Sequence, residues 1–157
     1  MTINNEKLYF YYISLKTNFI SHDDYKIWLH KNFLIAETEN NIVFELEWCS
    51  ENIDKTVDTL YSYLYDKISF LDFQFIGKLI INELRKKYNE NPGCLRETTY
   101  KLYQIWCLLP RNIAEKEPFL TFNSIDDSWA WNGKEQVEEK MKYLFSFYED
   151  EIQGDGC

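Results

Sequence analysis

The sequence predicts an all-α protein, a helical bundle or array of five to six helices, and three observations carry that expectation. Only five Gly and three Pro punctuate 157 residues, too few for a many-turned sandwich or barrel. Over most of the chain, apolar residues recur at intervals of three and four. Short polar breaks, some carrying cap-forming residues, separate those stretches.

The first element, from about Asn5 to Thr17, is an aromatic run (Leu8, Tyr9, Phe10, Tyr11, Tyr12, Ile13) too uniform for periodicity to separate helix from strand. Helix is the expectation, with strand the alternative. Ser21-His22-Asp23-Asp24 then reads as a helix start, with Ser as cap and two acids where the helix dipole favours them. Tyr25, Trp28, Leu29 and Phe33 follow at helical spacing, to about Glu37. In residues 42–48, Phe44, Leu46 and Trp48 alternate with Glu45 and Glu47 as in a half-buried strand, and a short helix fits equally.

Ser50-Glu51 opens the clearest helix, whose stripe is Ile53, Val57, Leu60, Tyr61, Leu64, Tyr65 and Ile68. Asp54 and Asp58 fall off that stripe onto a solvated face. A further helix is expected from Phe70 to Tyr88, with Phe73, Ile76, Leu79, Ile80 and Leu84 inward. Gly77 in its middle costs about 1 kcal/mol against Ala, which points to a close helix–helix approach. Lys78, Arg85, Lys86 and Lys87 crowd its second half, and Pro92 marks the break.

The next helix is expected from Leu95 to Leu108, stopped by Pro110. Its stripe is Leu95, Leu102, Trp106 and Leu109, with Tyr100, Tyr103 and Cys107 beside it. Residues 111–133 read as the least regular part, with Pro118, Asn123, Asn132 and Gly133. A last helix from Lys134 to about Glu151 buries Val137, Met141, Leu144, Phe145 and Tyr148. These elements fit one domain over residues 1–152, with 153–157 a disordered tail.

Composition narrows the class. Aromatic residues make up 18% of the chain, enough bulk for a core, and Tyr and Trp also need hydrogen-bond partners when buried. Cys49, Cys94, Cys107 and Cys157 form no CxxC pair, and the N-terminus reads as lacking a secretory segment, so free thiols in a reducing cytoplasm are expected. No apolar run approaches the ~20 residues that span a bilayer, so no membrane association is expected.

The net charge of −9 is unevenly spread. Residues 39–66 carry seven acidic and one basic side chain, and residues 119–157 carry nine acidic and three basic. The middle, 67–118, is mildly basic. This balance argues against nucleic-acid binding, which needs a basic footprint, and suits a basic protein partner. A purely solubilising acidity is the plain alternative.

Motifs for chemistry are missing from the sequence. It holds no GxGxxG, GxxxxGK, HExxH or GxSxG, and no cofactor is expected. His22 and His30 sit eight apart on one predicted helix, two turns from each other, which does not suit a shared metal ion. The acidic clusters Glu45/Glu47, Asp126/Asp127, Glu138/Glu139 and Glu149/Asp150/Glu151 are expected of a chain with 26 acids, and most read as solvated. No enzymatic activity is expected.

Two stretches read as candidate recognition surfaces. The segment Asn123–Gly133 places Asp126, Asp127, Trp129 and Trp131 together; such Trp residues serve as core or anchors, or, when exposed beside carboxylates, as binding hot spots. The acidic stretch around Trp48 supplies Glu45, Glu47, Glu51, Asp54 and Asp58.

A small, acidic, Tyr- and Trp-rich helical chain of this kind resembles the cytoplasmic immunity proteins of bacterial polymorphic-toxin and contact-inhibition systems. The closing stretch, with Pro110, Trp129-Ala130-Trp131 and the helix from Lys134, also resembles an uncharacterised bacterial helical family found in that setting. No motif matches residue by residue, so no site is carried over. The resemblance implies a stoichiometric inhibitor covering the active site of a cognate basic toxin domain with carboxylates. A self-assembling or adaptor protein, for instance a homodimer, is the alternative.

Overall fold

The computed structural model describes residues 4–35, 41–131 and 133–149. Nine α-helices and two 3₁₀ turns account for the regular structure among the described residues, and no strand is present among them. The chain is all-α, as its spacing predicts. The helices group into two compact units that divide between Ile76 and Gly77.

The first unit contains α1 (Asn5–Lys16), α2 (His22–Ile35), α3 (Asn41–Trp48), α4 (Ile53–Leu64), a 3₁₀ turn (Ile68–Phe70) and the start of α5 (Phe73–Glu90). The Asn4 side chain caps α1 by accepting from Lys7 N at 2.8 Å. Seven of its twelve residues are buried, because α1 packs against both α2 and α4. An element covered on several sides loses its amphipathic stripe, which is why periodicity could not separate helix from strand there. Its end is a Schellman turn: Asn18 takes a left-handed φ of 58°, and Phe19 N donates to Ser14 O at 2.8 Å.

Ser21 Oγ accepts from Asp24 N at 3.1 Å, confirming the predicted start of α2; its predicted end near Glu37 lies outside the described residues. Residues 42–48 are helical. The buried side chains are Ile42, Val43 and Leu46, one face of a helix, and the alternation of Glu45 and Glu47 is incidental. The helix α4 begins two residues after the expected start, because Asn52 rather than Ser50 is the cap and accepts from Lys55 N at 3.0 Å. Its buried face is Thr56, Leu60 and Leu64, with Ile53, Tyr61 and Tyr65 exposed. Thr56 tolerates burial because its hydroxyl donates to Cys49 O at 3.0 Å. The helix stops at Leu64 instead of continuing to Ile68, and Phe70 is exposed in the 3₁₀ turn. Asp72 then caps α5, its carboxylate accepting from Gln74 N and Phe75 N at 3.1 and 3.2 Å.

The second unit holds the rest of α5, a 3₁₀ turn (Pro92–Cys94), α6 (Leu95–Leu108), α7 (Arg111–Ala114), α8 (Phe119–Trp131) and α9 (Gly133–Ser146). The helix α6 has the predicted bounds, but its buried line is Leu95, Thr99, Leu102 and Ile105, so Trp106 sits at its edge and Tyr100, Tyr103 and Cys107 face outward. The expectation of irregular structure over 111–133 is overturned. Pro118 stands in the turn just before α8, where it suits a helix start, and Phe119, Phe122 and Ile125 form the inward face against α6 and α9. The last helix ends at Ser146, where Arg85 Nη2 donates to Phe145 O at 2.6 Å; its predicted continuation beyond residue 149 and the tail at 153–157 lie outside the described residues. Val137, Met141, Leu144 and Tyr148 are buried as expected, while Phe145 is half-buried.

Candidate recognition surface

In the first unit, α3 builds the most exposed aromatic feature. Burial of Ile42, Val43 and Leu46 turns Asn41, Phe44, Glu45 and Trp48 outward, at the i, i+3, i+4, i+7 spacing of one helical face. Trp48 lies at the pole of that face and is 94% exposed. Phe44 contributes its edge, its ring also meeting Phe33 at 5.4 Å.

The neighbouring helix extends this surface. Thr56, Leu60 and Leu64 face inward, so Asp54 and Asp58 point to solvent. A shallow open hollow between α3 and α4 is lined by Glu45, Asp58, Thr59, Ser62 and Tyr63. No ion pair engages Glu45, Asp54 or Asp58 among the described residues, and Lys55, the single cation of residues 39–66, is joined to none of them.

Glu47 and Glu51 behave differently. An open groove between α2 and the turn after α3 is lined by Asp23, Lys26, Ile27, His30, Lys31 and Glu47, among others. Lys26 Nζ stands 3.4 Å from Glu51 and 3.7 Å from Asp23, and His30 Nδ1 stands 3.9 Å from Glu47. Two of the six candidates in the first acidic block therefore already face cations or a histidine of their own unit. His22 Nε2 lies 2.6 Å from Ser50 O and ties the same turn to α2.

On the inward side of α2, Tyr25 is fully buried, and its hydroxyl has no hydrogen-bond partner among the described residues. Burial, reinforced by nearby Cys49, Glu47 and Tyr11, holds its proton well above the ordinary tyrosine range.

The second candidate cluster lies on α8 of the second unit, a helix and not a loop. Trp129 Nε1 donates to Thr99 Oγ1 at 2.9 Å, and the buried Thr99 hydroxyl lies 3.2 Å from Asp126 Oδ1 and 3.0 Å from Arg96 O. Asp126 and Trp129 are thus half-buried members of the contact between α6 and α8, and the Arg96 guanidinium lies 6.0 Å from the Trp129 ring. Asp127 is exposed, and Trp131 is 82% exposed at the end of α8. The segment divides between interior and surface, three and four residues apart.

Among the described residues, no group of three or more His, Cys, Asp and Glu side chains could hold a metal ion. No helix among them is long and apolar enough to cross a membrane. Phe44, Ile27 and Leu34 were missed as surface residues; once α3 is known to be helical, the Phe44–Trp48 interval of four is the signal for the first. Thr99 had no signal in the sequence, since only the partner helix reveals its role. A scan against protein-family models and searches of curated proteins and solved structures give no match to this chain.

Proposed function

We propose that this chain is a protein-binding module, an inhibitor of the immunity type that covers a basic toxin domain with the outer faces of α3 and α4. The observation that supports this most is Trp48, 94% exposed, one helical turn from Glu45 and beside a surface whose Glu45, Asp54 and Asp58 lack ion-pair partners among the described residues. Exposed tryptophan is uncommon on surfaces that meet only water and is enriched in binding hot spots. Carboxylates around such an anchor select a basic partner and speed its approach. The reading carries a cytoplasmic location with it and assigns the chain no enzymatic role.

The test is stoichiometric inhibition. The reading frame beside that of this chain is expected to encode a basic C-terminal toxin domain, and a frame without one would count heavily against the proposal. That domain is assayed with increasing amounts of the full chain at low and high salt. The proposal expects loss of toxin activity at one equivalent, with an association rate that falls steeply as salt rises. Full toxin activity in the presence of excess chain would overturn it.

A further inference from the structure

We infer that the outer face of α2 is a self-association surface that pairs antiparallel with α2 of a second copy. This stands apart from the toxin-binding reading, which uses α3 and α4. Tyr25 and Leu29 fix the inward side of α2. At 100° per residue, Ile27 points directly away from them, and Leu34, two turns on, lies within about 20° of Ile27. Both are large aliphatic side chains held in water, 56% and 68% exposed. A helix with apolar residues at both poles is built to be covered on both sides.

Charge identifies the occupant and its direction. On one flank of the Ile27–Leu34 line stand Asp24 and Lys31, seven residues apart, both exposed and in no ion pair among the described residues. On the other flank stand Asp23 and His30, also seven apart and exposed, with only long contacts to Lys26 and Glu47. A uniformly basic partner would meet Lys31 and His30, and a uniformly acidic one would meet Asp23 and Asp24. The face needs a surface carrying both signs in reverse order. A second copy related by a two-fold axis near Ile27 supplies it. Asp24 of each copy then meets Lys31 of the other, Asp23 approaches His30, the two Ile27 side chains pack together, and each Leu34 lies over the N-terminal end of the other copy's α2. Parallel pairing would set each flank against the other, opposing Asp24 to Asp23 and Lys31 to His30.

Sedimentation equilibrium of the full chain, from micromolar to millimolar concentration, tests this. The expected result is a monomer–dimer equilibrium. Asp24→Lys and Lys31→Asp each weaken it by about tenfold, and the double variant restores it, since the reversed pair is again complementary. Ile27→Asp abolishes the dimer while helicity, and the melting temperature at concentrations where the chain is monomeric, stay unchanged, because the side chain is exposed in the monomer. A chain that stays monomeric throughout overturns the inference. So does a dimer indifferent to Ile27→Asp, or a double variant as weak as the single ones.

Discussion

The Tyr148 hydroxyl lies in the space that a β-carbon on Gly77 would fill, and the Phe119 ring edge stands 3.2 Å from the same point. The helix α5 can therefore meet Tyr148, just past the end of α9, and Phe119 of α8 closely only because residue 77 has no side chain. Gly77→Ala gains about 1 kcal/mol of helix propensity but forces this contact apart, and overpacking costs about 1–3 kcal/mol. The expected outcome is a net loss of stability in denaturant unfolding. The loss should shrink in a Tyr148→Phe background, where the colliding oxygen is gone.

Tyr25→Phe should leave stability unchanged or raise it by up to about 1 kcal/mol, because it removes a buried hydroxyl with no partner among the described residues. The same substitution should alter the alkaline limb of the stability profile. Burial raises the tyrosine pKa in the folded state for both Tyr25 and Tyr9. Below about pH 10 these phenols are neutral in both states, whereas at higher pH the unfolded chain releases protons that the folded chain retains. Stability therefore falls as pH rises above about 10, and less steeply for Tyr25→Phe. Urea titrations at stepped pH check both points.

Thr99→Val should cost about 1–2 kcal/mol, since it strands the Trp129 indole N–H and removes a donor to Asp126 at the contact of α6 with α8. Thermal unfolding followed by tryptophan fluorescence reads the loss. The variant should leave partner binding through α3 untouched.

Asn18→Gly should hold or slightly raise stability, and Asn18→Ala should lower it by about 1 kcal/mol. The residue has φ of 58°, which glycine adopts freely and alanine does not. Melting temperatures of the two variants decide it.

How far the sequence carried the fold depends on what covers each helix. The bounds of α6, set between Pro92 and Pro110, were legible to the residue, but its buried face was not, since Thr99 turns inward while Tyr100, Tyr103 and Cys107 turn outward. The helix α8 was missed because Asn123, Ser124 and Pro118 look like turn chemistry, although Phe119, Phe122 and Ile125 keep helical spacing and Pro118 precedes the first turn. In α3, eight residues hold too few periods to separate 2 from 3.6, and that choice decides the fate of Trp48. A strand would have put it inward with Phe44 and Leu46, whereas the helix puts it at the outward pole. Glu47 and Glu51 looked equivalent to Glu45 in sequence, and only the approach of α2 separates them by bringing Lys26 and His30 across.

The most direct measurement is the Kd of a basic toxin domain encoded beside this chain, taken by calorimetry with the full chain, Trp48→Ala and Trp131→Ala. Removal of a central hot-spot tryptophan typically costs about 2–4 kcal/mol. Trp48→Ala is expected to weaken binding by about thirtyfold or more, while Trp131→Ala, although that residue is also exposed, binds as the unaltered chain does. Unchanged affinity for Trp48→Ala, in a variant that remains folded, would contradict the proposed function.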